Sequence, residues 1–270
     1  MKKSIIALTV ATVMSTTAYA ESLTITTGQQ GGTYYDVFGV NLGNIMAERG
    51  YDVTLQPSLG SVENLERVAK GNAQIGFAQA DAYAATNSNV EIIGSLGEEC
   101  LFIAASETSN VDDEDDLQKE GSSIAVGRQG SGSAVSWDYA RKLEEDYMKA
   151  STYYQGGVLA LGRVKTGQYD AFMWVTSPEN LNHKYLQAVR QEGSGLQMID
   201  FNDWDMNDKL PNGNQVYTFR DVKLETGMFA DKVEVPCTEV LVVASPDMDY
   251  SAMEDLATSV MMDSNRIQGK

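Results

Sequence analysis

The sequence has little of what most enzymes and metal sites require. It contains one histidine, His183, and two cysteines, Cys100 and Cys237. Catalytic triads and most zinc sites depend on histidine, and two thiols cannot form a zinc site from cysteine alone. His183 lies between Asn182 and Lys184 in a predicted surface helix, so we expect it to be solvated. We therefore expect a protein that is not an enzyme and that uses no metal or cofactor.

Two acidic segments are weak candidates for a calcium site. Residues 112–116 form a run of like charge, which is typical of a solvated loop or helix start. Asp203, Asp205 and Asn207 follow the spacing of a calcium loop, but Asp208 stands where that loop requires glycine. We therefore predict no metal ligand in either segment.

Basic residues are also scarce, with 20 Lys and Arg against 38 Asp and Glu, a formal net charge of −18. A surface of this charge repels nucleic acid and anionic lipid, and it favours a soluble monomer. We expect no nucleic-acid partner. An anionic ligand would need a local source of positive potential, and adaptation to salt would explain the acidity equally well.

Long apolar runs are confined to the N-terminus. Two lysines precede an apolar run over residues 5–14, and a small-residue stretch ends at Ala18-Tyr19-Ala20. This pattern is typical of a secretory signal peptide over residues 1–20, and the apolar run is too short to span a bilayer. We expect cleavage near Ala20 and a mature protein in the periplasm, the alternative being a retained N-terminal anchor.

Export bears on the two cysteines, because disulfides persist outside the cytoplasm. An even number of cysteines in an exported chain favours one bridge between Cys100 and Cys237. Two buried free thiols are the alternative.

Short apolar strands alternate with amphipathic helices through most of the chain, which is the pattern of βαβ units. Residues 22–80 are interpreted as β-α-β-α-β, and a similar unit follows between residues 124 and 175. Two long apolar strands, residues 100–105 and 235–244, flank the second unit on either side in the sequence. The sequence therefore predicts an α/β protein with two lobes joined by a hinge.

The predicted hinge strands define the lobes. Lobe I comprises residues 21–104 plus 235–270, and lobe II comprises residues 105–234. In this arrangement the two cysteines lie on neighbouring hinge strands, which favours the bridge.

Glycine-rich or serine-capped turns recur where predicted strands lead into helices, at Gly31-Gly32-Thr33, Gly60-Ser61 and Gly130-Ser131-Gly132-Ser133. Unpaired N–H groups at a helix N-terminus bind carboxylate or phosphate without a cation. Each turn by itself can be a simple backbone device. Their recurrence in both halves indicates a ligand cleft between the lobes, because ligands of open α/β sheets bind at the carboxyl ends of strands.

Side chains suited to a small polar ligand lie near these turns. Arg128 could hold a carboxylate in bidentate fashion or form a surface ion pair, and Trp174 could close over a ligand or fill the core. The candidates around the turns are Tyr34, Tyr35, Gln79, Asp81, Arg128, Gln129 and Trp174.

Several segments together resemble the TAXI-type solute receptors of tripartite ATP-independent periplasmic (TRAP) transporters. They occur in the family's order over about 220 residues, and their order and spacing carry the resemblance. The segments are Gly28–Tyr35 (GQQGGTYY), Gly60–Leu65 (GSVENL), Ala73–Asp81 (AQIGFAQAD), Gly127–Ser133 (GRQGSGS), Ala160–Phe172 (ALGRVKTGQYDAF) and Thr226–Val240.

The resemblance implies a type II periplasmic-binding-protein fold, in which two α/β lobes close on a ligand and dock on a membrane permease. It also implies a small carboxylate ligand such as glutamate, glutamine or 2-oxoglutarate. Ser133 stands where the family usually has threonine, which leaves the ligand open. The family's ligand contacts correspond to Thr33, Tyr34, Ser61, Val62, Gln79, Asp81, Ser131 and Ser133.

We therefore expect a periplasmic receptor that captures a small organic anion and delivers it to the permease subunits of a TRAP transporter. The alternative is a periplasmic sensory receptor that presents its ligand to a membrane kinase. The fold and the cleft would be the same in both.

Overall fold

The computed structural model describes residues 20–227 and 229–270, so the predicted signal peptide lies outside the described residues apart from Ala20. The strands are β1 (Ser22–Thr26), β2 (Asp52–Gln56), β3 (Ile75–Gln79), β4 (Glu91–Ser106), β5 (Ser123–Ala125), β6 (Ser151–Tyr153), β7 (Ala171–Thr176), β8 (Leu196–Ile199), β9 (Thr218–Lys223) and β10 (Lys232–Ala244).

The α-helices are α1 (Val40–Glu48), α2 (Ser61–Ala69), α3 (Ala80–Thr86), α4 (Gly132–Leu143), α5 (Gly157–Lys165), α6 (Lys184–Arg190), α7 (Tyr250–Met262) and α8 (Ser264–Ile267). A π-helical segment, Tyr34–Gly39, leads into α1, and 3-10 segments cover Glu114–Gln118 and Glu145–Lys149. Within residues 20–227 and 229–270, no helix is long and apolar enough to cross a membrane.

Eight strands form one continuous sheet in the order β2-β1-β3-β10-β4-β7-β5-β6, with β8 paired to β4 and β9 paired to β10. β1 is parallel to β2 and β3, and β5 is parallel to β6 and β7. Between these parallel sets, β4 and β10 are antiparallel to each other. We call the elements before β4 and after β10 the first lobe, and the elements between them the second lobe. The predicted pair of α/β lobes joined by two hinge strands is confirmed.

Strand β4 is much longer than the predicted strand over residues 100–105. Its last seven residues, Cys100–Ser106, are fully buried, whereas most of Glu91–Glu99 is partly exposed. An apolar run in the sequence marks only the part of a strand that is covered on both faces. The sequence therefore did not reveal the first part of the strand, where Glu99 lies.

Apolar cores hold the helices on the sheet. In the first lobe, Leu42 and Met46 of α1 and Leu256 of α7 are completely buried against β1, β3 and β10. Another core includes residues of both lobes, among them Ala82 of α3 and Trp137 of α4. The two lobes therefore share apolar packing on the side where α3 and α4 lie.

Cys100 and Cys237 form a disulfide, which confirms the predicted bridge. The two residues lie directly opposite each other in β4 and β10, with a Cα–Cα distance of 3.9 Å. The bridge closes a loop over a sequence separation of 137 residues, which contains the whole second lobe. It ties the two hinge strands together where the chain enters and leaves that lobe.

The prediction of a solvated His183 is wrong. Its ring stacks on Trp174 with the centroids 6.1 Å apart and the planes 6° from parallel, and its centroid lies 4.9 Å from that of Tyr185. Burial lowers the pKa of His183, so the ring is neutral at physiological pH. The flanking polar residues concealed a packing role.

Candidate ligand-binding site

A cavity of about 220 Å³ lies between the lobes, where the turns that follow β1, β2 and β5 meet the end of β3. It is smaller than the pockets of about 300–1,000 Å³ that hold drug-sized ligands, so it suits a smaller molecule. The cavity is lined by Gly28, Gln29, Gly32, Thr33, Tyr34, Gly60, Ser61, Gln79, Glu99, Gly132, Ser133 and Val175.

The first lobe forms one wall from the turn after β1, the start of α2 and the end of β3. Gly60, directly before α2, has a φ of 143°, a conformation that glycine adopts without a steric penalty. A Cβ atom at this position would lie 3.2 Å from the carbonyl oxygen of Gly130 in the second lobe. The Ser61 hydroxyl accepts a hydrogen bond from the Gln79 backbone N–H at 3.1 Å. This bond joins the first turn of α2 to the end of β3.

The N-terminus of α4 forms the opposite wall. Ser131 caps this helix, because its hydroxyl accepts a hydrogen bond from the Ala134 N–H. The next residues, Gly132 and Ser133, line the cavity. The first N–H groups of a helix have no acceptor within it, so this end of α4 is suited to bind a carboxylate.

Gln79 links the two walls. A Cβ atom on Gly132 would overlap the Gln79 side-chain oxygen, so glycine at this position lets the lobes approach each other. Gln79 is only 2% exposed, and within the described part of the chain its Nε2 has no hydrogen-bond partner. A buried unpaired donor costs about 1–3 kcal/mol. The amide therefore has a hydrogen bond to donate to an acceptor on a ligand.

Glu99 is a cavity residue that the sequence did not reveal. Its side chain lines the cavity, and Oε2 accepts a hydrogen bond from the Tyr34 hydroxyl at 3.0 Å. Burial raises the pKa of Glu99 to about 7, the charge of Asp81 adds to this rise, and the bond from Tyr34 opposes it. The available signal was an acidic residue directly before a buried hinge strand, but the predicted strand began one residue later.

The cavity combines backbone donors with a single acidic side chain among the described residues. Among the described residues that line it there is no lysine, arginine or histidine, and Glu99 is the one acidic residue. Positive potential in the cavity therefore comes from helix N-termini and amide groups.

Half of the predicted ligand-binding residues line the cavity and half do not. Those that line it are Gly32, Thr33, Tyr34, Ser61, Gln79 and Ser133. Those that lie elsewhere are Val62, Asp81, Arg128, Gln129, Ser131 and Trp174. Arg128 and Gln129 are exposed on the loop before α4, so the predicted bidentate arginine does not reach the cavity.

Trp174 faces away from the cavity because side chains alternate along a strand. In β7, Phe172 and Trp174 point into the core of the second lobe, where the two rings stack with their centroids 5.8 Å apart. The next residue, Val175, points to the cavity. Of the two interpretations of Trp174, the structure places it in the core.

Asp81 is completely buried between the lobes. Its carboxylate accepts hydrogen bonds from Ser136 of α4, from the Tyr217 hydroxyl at 3.0 Å and from the Ala82 N–H at 2.7 Å. Burial raises the pKa of Asp81, and the bonds from Ser136 and Tyr217 oppose that rise. Asp81 belongs to the first lobe, and both hydroxyl donors belong to the second. The residue thus joins the lobes beside the cavity.

A larger cavity of about 530 Å³ adjoins the first one and shares Thr33 and Glu99 with it. Its walls include the ion pairs Glu98–Arg220 and Glu179–Lys270, each with a nitrogen–oxygen distance of 2.9 Å. Charged pairs that are partly exposed are typical of a solvent-filled cleft. We therefore take the smaller cavity as the ligand site.

Solved structures of similar fold are solute-binding and ligand-binding proteins. The ligand-binding core of GluR0 from Nostoc punctiforme, in complex with L-glutamate, matches with a TM-score of 0.53 and 13% identity over 92% of this chain and 96% of that chain. The arginine-, lysine-, histidine-binding protein ArtJ from Geobacillus stearothermophilus matches with a TM-score of 0.52 and 12% identity over 92% of both chains. An ATP-bound protein from Xanthomonas citri matches with a TM-score of 0.58 and 9% identity over 92% of this chain and 88% of that chain.

At these identities the matches establish the fold, and the predicted type II periplasmic-binding-protein fold is confirmed. A sequence profile described as the NMT1-like family matches residues 25–219, which cover parts of both lobes and the whole lining of the cavity. The chain therefore belongs to the NMT1-like family.

Proposed function

We propose that this protein is a periplasmic solute receptor of the TAXI type, which captures a small carboxylate and delivers it to a TRAP secondary transporter. Glutamate, glutamine and 2-oxoglutarate are the ligands that the resemblance implies. The main support is the cavity enclosed by glycine and serine turns of both lobes.

The carboxylate of the ligand binds at the N-terminus of α4, close to Gly132 and Ser133. Charge-assisted hydrogen bonds to backbone N–H groups are stronger than neutral ones, and enclosure between the lobes strengthens them further. The Ser61 hydroxyl and the free Nε2 of Gln79 contribute from the first lobe. These contacts bind a ligand and require no covalent step.

Ligand binding favours the state in which the lobes are in contact. A ligand that touches both walls has a differential affinity for this closed state and shifts the population toward it. Gly60 lies close to Gly130, and Gly132 lies close to Gln79. These contacts between the lobes are those of the closed state. The permease then recognises the closed receptor.

Membership of the NMT1-like family and the fold shared with amino-acid-binding proteins support a receptor function. The ordered sequence segments that resemble TAXI receptors favour a TRAP permease as the partner. A receptor of this kind acts in the periplasm, which agrees with the predicted signal peptide.

A thermal-shift screen tests the ligand class. The purified protein is unfolded and refolded to remove co-purified ligand, then screened against glutamate, glutamine, 2-oxoglutarate, succinate, malate, sugars and phosphate. A ligand at about 100 times its Kd adds about 2.7 kcal/mol, which raises the melting temperature by about 5–10 °C. If only a sugar or phosphate gives this shift, the carboxylate proposal is wrong.

Delivery requires a separate test. Proteoliposomes that contain the TRAP permease should take up the bound ligand only when the receptor and a sodium gradient are both present. If the ligand binds but the permease never transports it, and a membrane kinase responds instead, the sensory alternative is correct.

A further inference from the structure

We propose that Glu99 is the specificity-determining residue of the cavity and that it selects ligands with a protonated amine over otherwise identical 2-oxo acids. The inference rests on the proposed function, since it concerns the ligand of the same receptor. It narrows the ligand from small carboxylates in general to amino acids.

The charge balance of the cavity favours a ligand with an amine. Glu99 is the one acidic side chain among the described residues that line the cavity. A ligand with only carboxylate groups would bring further negative charge beside it, and no lysine, arginine or histidine of the lining would offset that charge. An amino acid brings an ammonium group as well, so its ammonium and its α-carboxylate match the two kinds of site in the cavity.

The carboxylate of Glu99 can accept further hydrogen bonds. The Tyr34 hydroxyl donates to Oε2 at 3.0 Å, and no other donor in the described part of the chain lies within hydrogen-bond distance of the carboxylate. An ionised carboxylate has about four lone-pair sites. Most of this capacity is therefore available to an ammonium group, which carries three donors.

Donors for the ligand's carboxylate lie elsewhere in the lining of the cavity. The Nε2 of Gln79 is buried without a partner among the described residues, and Gly132 and Ser133 are at the N-terminus of α4. These groups require an acceptor, which an ammonium group cannot supply. Glu99 and the donor groups are thus complementary to opposite ends of a zwitterion.

The test compares amino acids with the 2-oxo acids that differ from them only at the amine. Glutamate with 2-oxoglutarate, alanine with pyruvate and aspartate with oxaloacetate are titrated into the ligand-free protein by calorimetry. A charge-assisted hydrogen bond in an enclosed site corresponds to about a 10- to 100-fold difference in Kd. We expect at least one amino acid to bind tighter than its oxo acid by this factor.

The Glu99→Gln variant should bind that amino acid about 10- to 100-fold more weakly and lose most of the preference over the oxo acid. Glu91→Gln is the matched control, because Glu91 is an exposed residue of the same strand outside the cavity. It should behave as the unmodified protein does.

A measurement on the unmodified protein keeps the inference testable if Glu99→Gln does not fold. Around Glu99, the titratable groups are Tyr34, which donates to it, and Asp81, whose charge raises its pKa. The charged groups of the adjoining cavity are Glu98, Glu179, Arg220, Glu239 and Lys270. An ammonium group beside Glu99 lowers its pKa, so amino acids should release protons near pH 7. An anionic oxo acid should take protons up. Calorimetry in two buffers of different ionisation enthalpy measures the sign.

If each oxo acid binds as tightly as its amino acid, or if Glu99→Gln keeps an existing preference for the amino acid, the inference is wrong while the receptor function stands. If neither amino acids nor carboxylates bind at all, both the inference and the proposed function fail.

Discussion

Replacing Tyr217 with phenylalanine should weaken both the stability of the protein and its affinity for ligand. The Tyr217 hydroxyl donates to the buried carboxylate of Asp81 at 3.0 Å, and the ring is completely buried. The substitution keeps the ring and removes one hydroxyl, so it changes the hydrogen bonding of Asp81 with little change in packing. Asp81 then retains the donors Ser136 and Ala82.

The size of the effect follows from the burial of Asp81. Hydrogen bonds to charged groups contribute about 1.5–3 kcal/mol, and the loss of one donor from a buried carboxylate falls in this range. For a protein of this size, 1 kcal/mol corresponds to about 2–4 °C in melting temperature. We therefore expect Tyr217→Phe to lower the melting temperature of the closed, ligand-bound protein by about 3–12 °C.

Ligand affinity should fall as well, because the lost bond joins the lobes. Asp81 lies in the first lobe and Tyr217 in the second. The substitution therefore destabilises the closed state, in which the bond is made, more than the open state. Ligand binding must then overcome a larger cost of closure. If the whole bond is lost on opening, Kd rises by about 10- to 150-fold, since 1.4 kcal/mol corresponds to a factor of ten.

Thermal melts and ligand titrations check both effects against a matched control, Tyr51→Phe. Tyr51 also donates to an aspartate, Asp255, at 2.9 Å, but both residues belong to the first lobe. This control should lower stability slightly and leave ligand affinity unchanged. In an Asp81→Asn background, Tyr217→Phe should cost less, because the charged acceptor is gone. If Tyr217→Phe has no more effect on Kd than Tyr51→Phe, Asp81 does not couple the lobes.

Two further predictions concern the disulfide and Glu99. Replacing Cys100 and Cys237 together by alanine should lower the free energy of unfolding by about 5 kcal/mol, which is the chain-entropy value for a loop closed over 137 residues. Denaturant titration measures this change. An unchanged denaturation midpoint would contradict the prediction. The pKa of Glu99 rises from 4.5 to about 7 in the folded protein, so its contribution to stability is complete below about pH 4.5 and is lost as the pH rises to about 7. At about 1.4 kcal/mol per pKa unit the loss is at most about 3 kcal/mol. Thermal melts of the ligand-free protein should show the melting temperature fall over this pH range, and Glu99→Gln should remove that fall. If the variant shows the same dependence on pH, Glu99 is not the group responsible.

Much of the architecture could be predicted from local sequence patterns. The helix that begins at Ser61 carries Leu65 and Val68 on one buried face, and the structure has it at Ser61–Ala69. The two cysteines were predicted on neighbouring hinge strands, and they pair there. Such features depend on periodicity, caps and turns within a few residues of chain, and the sequence records these directly.

The sequence by itself thus determined the two lobes, the hinge strands and the glycine and serine turns that line the cavity. The tertiary structure alone decided which side chains reach that cavity. Tyr34 and Glu99 are 65 positions apart in the sequence. They meet because β4 begins well before its buried apolar part, and Glu99 lies in that earlier part. Asp81 is directed to Ser136 and Tyr217 because α3 packs against α4, and strand alternation turns Val175 rather than Trp174 to the cavity. Contacts between residues far apart in the chain depend on how the lobes pack together, and no local pattern of residues encodes that packing.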